Sequence, residues 1–333
     1  MAYTTIDNPE LYFQTKLYTG TGSSNAITLD GDENMQPDWV WIKCRDDSHN
    51  HQVFDSIRGV HNRMRTDTDG AETSSSESLK SFDTDGFTVG TQANVNASAS
   101  GDNSFVAWNW KKTATAGFDI VGFTGNGTAR TISHSLSAVP KFYLVKNRSI
   151  TGHWRVYHHK LGATKHINLE DVGVGGTATG VFNDTEPTSS VFSVGTDSSA
   201  NGSGNSLIVY LFSEIKGFSK FGSYTGNGNA DGTFVYTGFK PAWVMCRDVE
   251  NDAGWHIFDN KRPNAFNTIN KRIEADNSDT ENSTSGCEIE LVSNGFKFRG
   301  NFDNINRSGS NHIYMAFAES PFVTSSGIPT TAR

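Results

Sequence analysis

The chain has 333 residues, a formal net charge of −8, 35% hydrophobic residues, 33 glycines, 22 phenylalanines and 7 tryptophans. This aromatic content excludes an intrinsically disordered chain, and the lack of any block of Lys or Arg argues against nucleic acid as a partner. No apolar run approaches the ~20 residues of a membrane helix and the polar N-terminus lacks a secretory signal pattern, so we expect neither membrane insertion nor export from the cell that makes the chain.

The first element in chain order is a polar arm, residues 1–14, which carries Pro9 and precedes the first predicted strand. A β-sandwich does not need such a segment, and chain ends stay mobile unless something ties them down. We therefore expect the arm to become ordered against a partner chain. We also expect a homo-oligomer, most simply a trimer, that docks through the arm or through the repeat that follows it.

Two motifs then recur three times in fixed register. The strip YTGTG at 18–22 returns as FTGNG at 123–127 and YTGNG at 224–228, and each strip is followed by a proline and an apolar strand, at Pro37, Pro140 and Pro241. Such self-similarity is the mark of an internal triplication. It predicts repeats at 15–116, 117–216 and 217–322, followed by a polar tail at 323–333. The joins are short, which indicates repeats that pack on one another.

Within each repeat the residues follow a strand pattern of period two. In the first repeat Trp39 and Trp41 share one face while Val40 and Ile42 share the other, so both faces are apolar and the strand is predicted to be covered on both sides. Asp-Gly at 85–86 and Asn-Gly at 294–295 predict hairpins. The fold class is therefore all-β, with three tandem antiparallel β-sandwiches of jelly-roll or concanavalin-like character. The predicted structural core contains Trp39, Trp41, Trp108, Trp110, Trp243, Phe212 and Phe317.

Metal sites are not predicted. The segments 67–70 and 83–86, both DTDG, are fragments of a calcium loop without its third carboxylate or its closing Glu, and the second coincides with a predicted hairpin. The three cysteines have no metal-ligand spacing, and an odd, sparse set predicts buried free thiols made in a reducing compartment. Four histidines of the middle repeat, at 153, 158, 159 and 166, are interpreted as surface side chains near a loop. No cofactor is expected.

Catalysis is not predicted either. Glu288 and Glu290 share a strand face, as the paired carboxylates of jelly-roll polysaccharide hydrolases do, but the alternating apolar residues around them indicate a half-buried strand with a solvated side. Neither other repeat keeps the pair. The sequence contains no phosphate-binding glycine loop, serine elbow or Cys/His nucleophile pair. We interpret the chain as a non-enzyme, with a polysaccharide-cleaving enzyme as the alternative from another class.

The best candidates for ligand contact are aromatic. Trp154 and Trp255 stand at equivalent positions after the repeat proline, where the first repeat has His51. Their recurrence favours support of the core or of a loop. Exposed tryptophans also stack on sugar rings, however, so Trp154, Trp255 and the adjoining His256 are retained as candidate glycan contacts. The Ser/Thr/Asp-rich stretches at 66–78, 171–190 and 275–286 are predicted to be surface loops, and the later two are expected to face outward.

The chain resembles a group of virion proteins of marine tailed bacteriophages, labelled minor tail or tail-fibre proteins. The resemblance rests on MAYTTIDNP at 1–9 running into 12–20, on QPDWVWIK at 36–43 with FDSIRG at 54–59, and on SFVAWNWK at 104–111. It covers the whole chain and is weakest in the middle repeat, where His158 stands in place of Asp55 and Asp259.

The resemblance implies a virion location, lectin-like sandwiches and no catalytic residues. We therefore expect a structural virion protein of a tailed phage, associated with the tail and in contact with other virion proteins and with a host-surface glycan. The alternative within the virion is a capsid-decorating or head-fibre protein.

Overall fold

The computed structural model describes residues 4–177, 179–263 and 267–320, and within them the regular structure is dominated by antiparallel strands. The tail at 323–333 lies outside the described residues. In the described part of the chain, no helix is long and apolar enough to cross a bilayer.

The first repeat contains nine strands and one short helix: β1 (Phe13–Thr19), β2 (Asn25–Ile27), β3 (Trp39–Cys44), β4 (Gln52–Asp55), β5 (Asn62–Arg63), β6 (Thr73–Ser74), β7 (Leu79–Asp83), β8 (Gly86–Val89), α1 (Ala93–Asn96) and β9 (Ser104–Trp110). A 3-10 turn at Pro9–Leu11 precedes it and another at Ala114–Ala116 follows it.

The second repeat contains β10 (Phe118–Thr124), β11 (Arg130–Ser133), β12 (Phe142–Asn147), β13 (Arg155–His158), β14 (Lys165–Asn168), β15 (Gly176–Thr177), α2 (Thr179–Phe182), β16 (Val191–Val194), α3 (Ser198–Asn201) and β17 (Ser206–Phe212). The third contains β18 (Ser219–Thr225), β19 (Phe234–Tyr236), β20 (Lys240–Asp248), β21 (His256–Asp259), β22 (Ile273–Glu274), β23 (Ile289–Val292), β24 (Gly295–Phe298), α4 (Asp303–Asn306) and β25 (Asn311–Ser320).

One sheet design occurs in all three repeats. The main sheets have the orders β1-β9-β3-β4, β10-β17-β12-β13-β14-β15 and β18-β25-β20-β21-β22, so the first and the closing strand of each repeat pair, and the closing strand also pairs with the strand after the repeat proline. The smaller sheets are β2-β8-β7, β11-β16 and β19-β24-β23. Both predicted hairpins form, with Asp83 opposite Gly86 and Val292 opposite Gly295.

The two apolar faces of each main sheet bury against different partners. In the first repeat Val40 and Ile42 pack with Phe87 and Val89 of the smaller sheet, which makes the interior of one sandwich. The opposite face, with Trp39 and Trp41, enters a second core that contains side chains from all three repeats. Because the shared core covers the second face of β3, this strand has apolar residues on both faces and does not alternate apolar with polar residues.

Three equivalent side chains meet at the centre of the shared core. Trp110, Phe212 and Phe317 occupy equivalent positions in the three closing strands. Across the main sheets they lie opposite Trp39, Phe142 and Trp243 respectively. Their ring centroids are 6.4, 5.8 and 5.7 Å apart, with interplanar angles of 70°, 63° and 69°. Each ring thus presents an edge to the next, the favoured geometry for aromatic pairs. The repeats therefore close into a ring of three, and all the core side chains named above are buried.

The recurrent Gly strip is explained by a close backbone approach. A Cβ at Gly20, Gly125 or Gly226 would lie 1.9, 2.1 or 2.3 Å from the carbonyl oxygen that follows the short helix of the same repeat. The strip is held there by the last residue of that helix, a fully buried asparagine. The amide of Asn96, Asn201 and Asn306 accepts the N–H of Thr21, Asn126 and Asn227 and donates to carbonyl groups on both sides.

The N-terminal arm does not behave as the sequence indicated. From Thr4 onward it packs on its own chain, because Ile6 and Phe13 are 1% and 3% exposed and lie in the shared core. The Phe13 ring stacks on Phe317 at 5.2 Å. Strand β1 also begins at Phe13, so the first repeat starts within the stretch assigned to the arm. A partner chain is thus not required to order residues 4–14.

We predict that Trp39→Ala lowers the free energy of unfolding by about 3–5 kcal/mol, because it removes a buried indole that packs against Trp110 and Tyr210 across two repeats. Tyr236→Ala is the matched control, since Tyr236 is 61% exposed. Chemical denaturation of both variants checks the prediction. Equal midpoints for the two variants would contradict the shared core.

Candidate functional site

The places where the repeats meet carry most of the buried polar chemistry. We call them junctions 1–2, 2–3 and 3–1 after the repeats they join. At each junction, the residue that lies fourteen positions after the repeat proline reaches a backbone carbonyl of the neighbouring repeat. Trp154 Nε1 donates to Arg65 O at 2.8 Å, Trp255 Nε1 donates to Asn168 O at 2.9 Å, and His51 Nε2 lies 2.9 Å from Glu274 O.

These contacts decide between the two interpretations of the candidate glycan residues. Trp154 and Trp255 are 0% and 1% exposed, so neither ring offers a face to a sugar, and both support a junction. His256 is also fully buried, with its Nδ1 2.8 Å from a guanidinium nitrogen of Arg272, and burial lowers its pKa well below the usual range. An aromatic side chain can stack on a sugar only where it is exposed, and the packing of the repeats has buried both tryptophans.

A second set of ties links the closing strand of one repeat to the last residue of β4, β13 or β21 in the repeat that precedes it around the ring. Tyr210 donates its hydroxyl to Asp55 at 2.6 Å across junction 1–2, and Trp108 Nε1 donates to Asp259 at 3.0 Å across junction 3–1. At junction 2–3 the equivalent closing-strand residue is Met315, which cannot donate, and the carboxylate position is occupied by His158. The ring nitrogen of His158 instead lies 3.3 Å from Tyr314 O.

The hydrogen bonds of His158 define its neutral form. Its Nδ1 accepts the backbone N–H of Lys160 at 3.2 Å, so the proton resides on Nε2, which donates to Tyr314 O. If Nδ1 were also protonated, its proton would point at the backbone N–H of Lys160, and this hydrogen bond would be lost. Burial and the neighbouring His159 lower the pKa of His158 to about 3. His158 is therefore a buried junction residue, and the prediction of a surface histidine at this position is wrong.

Ionic chains run along two of the three junctions. At junction 1–2, Arg58 pairs with Asp55 and with Glu72 at 2.9 Å, and Glu72 pairs in turn with Arg148 of the second repeat at 2.7 Å. Their side chains are largely shielded from solvent, and that of Arg58 is fully buried. A buried charge of this kind is tolerated only when it is paired and hydrogen-bonded.

Junction 3–1 repeats that chain with equivalent residues. Arg262 pairs with Asp259 at 2.6 Å and with Glu281 at 3.3 Å, and Glu281 is held by Arg45 of the first repeat at 3.0 Å. The Ser/Thr/Asp-rich stretches at 66–78 and 275–286 thus contribute Glu72 and Glu281 to junctions, and Thr66 is buried with its hydroxyl on Ala275 O. They are only partly the outward loops that the sequence predicts.

The calcium-like fragments are occupied by protein groups. Lys146 Nζ of the second repeat donates to Asp69 O at 2.7 Å, so an ammonium group already lies against the 67–70 fragment. Asp67 accepts the side-chain amide of Asn50 at 2.8 Å, and burial raises its pKa. In the 83–86 fragment, Asp83 accepts the hydroxyl groups of Ser81 and Thr88.

The remaining sequence candidates are the carboxylate pair Glu288 and Glu290 and the other histidines of the middle repeat. Ile289 and Leu291 are buried while Glu288 and Glu290 are half-buried, and Glu290 is 3.4 Å from Arg299, as expected for a solvated strand side. Among the histidines, His153 pairs with Glu170, and burial lowers the pKa of His166 to about 4.

One group of metal-type ligands was missed by sequence reasoning. Cys44, His49 and Asp102 bring their donor atoms within 4.8 Å of one another. The thiol of Cys44 lies 3.3 Å from Asp46 and 3.6 Å from Asp102, and burial raises its pKa to about 12, so it is present as a hydrogen-bonded thiol. His49 is bonded to Asp102 at 2.7 Å. The spacing of the three residues along the chain carries no ligand signature, which is why only the fold reveals the group.

The comparisons with known proteins return one family. The model described as "Domain of unknown function (DUF7483)" matches residues 8–321. No curated protein matches the chain.

We predict that Asp259→Asn lowers the free energy of unfolding by about 3–5 kcal/mol, because it leaves the fully buried Arg262 short of a counter-charge and weakens the bond from Trp108. The matched control is Asp231→Asn, which removes a carboxylate whose side chain is 78% exposed beside Lys297 and Arg299. That change should leave stability unaltered in urea titrations at low and high salt. A small, salt-sensitive loss for Asp259→Asn would show that the junction is solvated.

We also predict acid destabilisation through buried histidines. The folded pKa of His158, about 3, lies below its unfolded value, so the unfolded chain binds more protons between roughly pH 6.5 and 3 and stability is lost as the pH falls through that window. His158→Gln keeps a donor for Tyr314 O and removes this proton. The slope of unfolding free energy against pH should fall by about 1.4 kcal/mol per pH unit between pH 4 and 6. His61→Gln, at an exposed position, should leave the slope unchanged.

Proposed function

We propose that this chain, which belongs to the DUF7483 family, is a non-enzymatic structural protein of a tailed-phage particle, attached to the tail and in contact with the host surface. The proposal that the chain is not an enzyme rests on the bonding partners of its buried titratable groups. Asp55, Asp259 and His158 are buried and bond to a neighbouring repeat, and the buried Arg58 and Arg262 hold the two aspartates. Such groups are already committed to partners of their own chain.

Mechanical integrity is the property that this arrangement supplies. Each repeat buries a second face only by contact with the other two, and the polar ties run in one direction around the ring, from the second repeat to the first, from the third to the second and from the first to the third. A closed ring of this kind unfolds as one unit rather than repeat by repeat, which suits a particle component. The virion and tail assignments rest on the resemblance of 1–9 with 12–20, of 36–43 with 54–59 and of 104–111 to tail proteins of marine phages.

The location is tested on purified phage particles that carry the gene. We expect gold-labelled antibodies against the purified chain to bind at the tail, and mass spectrometry to recover its peptides from washed particles. Labelling over the head would replace the tail assignment with capsid decoration. Absence of the peptides from particles would overturn the virion assignment altogether.

The absence of catalysis is tested on host-envelope and capsular polysaccharide. We expect no release of reducing ends by the purified chain over an extended incubation. Release that is abolished in a Glu288→Gln/Glu290→Gln variant would instead establish the hydrolase alternative at this carboxylate pair. Release that survives this double substitution would place a hydrolase site elsewhere in the chain.

A further inference from the structure

We propose that the cleft at junction 2–3 binds a saccharide that carries a carboxylate group, an inference that deepens the host-surface role proposed above and rests on it. The two other junctions serve as internal comparisons, because the same backbone positions build all three. What differs is the set of side chains that fills each one.

The equivalence is defined by backbone hydrogen bonds. The N–H groups of Arg45, Arg148 and Val249 donate to the carbonyls of Ser104, Ser206 and Asn311 at 2.7, 2.9 and 3.0 Å. Val249 therefore occupies at junction 2–3 the place of the two arginines that hold a glutamate at the other junctions. The short strand pairs also coincide, since Arg63 lies opposite Thr73 as His166 lies opposite Gly176.

The whole ionic chain is missing from junction 2–3. Leu161 stands in place of Arg58 and Arg262, Gly175 in place of Glu72 and Glu281, and Val249 in place of Arg148 and Arg45. A Cβ at Gly175 would lie 2.1 Å from His166 O, so the backbone here leaves no room for the glutamate. A bridging carboxylate of the chain itself is thus absent from this junction.

The replacement leaves a cleft. It has a volume of about 520 Å³ and is lined by Leu161 and Gly175 on one side and by Val249 and Asn311 on the other. The equivalent opening at junction 3–1, lined by Arg45, Glu281, Lys271 and Ser104, measures about 320 Å³ and is crossed by the Arg45–Glu281 pair. The larger volume lies within the range of small-ligand sites, roughly 300–1,000 Å³.

The lining combines three chemical characters. Leu161 and Val249, which are half-buried, supply the accessible apolar surface, whereas Ile167 and Ile313 are 2% and 1% exposed and lie behind the surface that a ligand could reach. Hydroxyl and amide groups of Thr177, Ser223 and Asn311 surround it, with Glu250 held beside Asn311 at 2.7 Å. Two lysines, Lys160 and Lys165, are exposed at the wall formed by the second repeat.

This combination favours an acidic sugar. The C–H groups of a pyranose ring can pack on the apolar side chains of Leu161 and Val249. Its hydroxyl groups can bond to the amide, hydroxyl and carboxylate side chains of the cleft. Neither Lys160 nor Lys165 has an ion-pair partner among the salt bridges of the described residues, so each can meet a ligand carboxylate without breaking a contact of the protein. A ligand carboxylate would be paired by these two lysines, because the arginines that hold Glu72 and Glu281 at the other junctions are replaced here by Leu161 and Val249.

The first experiment measures binding by calorimetry with tetragalacturonate and, as its neutral counterpart, α-1,4-linked galactotetraose. We expect the acidic sugar to bind at least about tenfold more tightly than the neutral one. Lys160→Ala/Lys165→Ala should weaken acidic-sugar binding about tenfold or more. The equivalent lysines of the third repeat provide the matched control, and Lys261→Ala/Lys271→Ala should leave the affinity unchanged.

The second experiment closes the cleft. Ser223 is exposed at its rim, so Ser223→Trp should occlude the opening without disturbing the core and should abolish binding, with an unchanged melting temperature. Equal affinity for both sugars, no binding by the wild-type chain, or binding that survives both Ser223→Trp and the Lys160/Lys165 pair would overturn the proposal. Because the assay uses the purified chain, its failure is distinct from failure to find the protein in particles.

Discussion

The edge-to-face contact of Trp110, Phe212 and Phe317 is the constraint on which the rest of the molecule depends. In a single sandwich of this design, the apolar outer face of the main sheet would be exposed to water. Placing that face against two copies of itself buries Trp39, Trp41 and their equivalents at the cost of ordering three repeats at once. Since each ring contacts the other two, no repeat can leave without exposing the faces of both neighbours.

Polar groups decide how the repeats are rotated against one another. The aromatic contacts alone tolerate some sliding, because dispersion and burial have little directional preference. In the described part of the chain, no protein group accepts from the indole N–H groups of Trp39, Trp110 and Trp243, and these rings are held by packing in the shared core. The directional contacts lie further out, where Trp154 and Trp255 donate to carbonyls and where Asp55 and Asp259 accept from the next repeat.

Junction 2–3 shows how such a network changes as a unit. Removing one arginine from a buried Arg–Glu–Arg chain would strand a charge, which costs several kcal/mol. At this junction both arginines, the glutamate, the aspartate and the donor of the closing strand are all replaced, by Val249, Leu161, Gly175, His158 and Met315 respectively. No member of the ionic chain is therefore left unpaired at this junction, and a cleft lies where the chain would be. The cleft of about 520 Å³ at junction 2–3 thus lies where the ionic chain that crosses the opening at junction 3–1 is missing.

The antiparallel sandwich class, the two hairpins and the two-sided burial of the strand at 39–42 were readable from the sequence, because strand period and turn chemistry are local properties. Local pattern also marked Trp154 and Trp255 as equivalent, yet it could not say whether their rings face solvent or a neighbour. The partners Arg65 and Asn168 lie more than eighty residues away, and the surface that covers a side chain is made by other segments.

The burial of Ile6 and Phe13, the grouping of Cys44 with His49 and Asp102, and the cleft at junction 2–3 were likewise decided by tertiary structure alone. In each case the determining contact joins residues distant in sequence, whose meeting depends on how three apolar faces close around one axis.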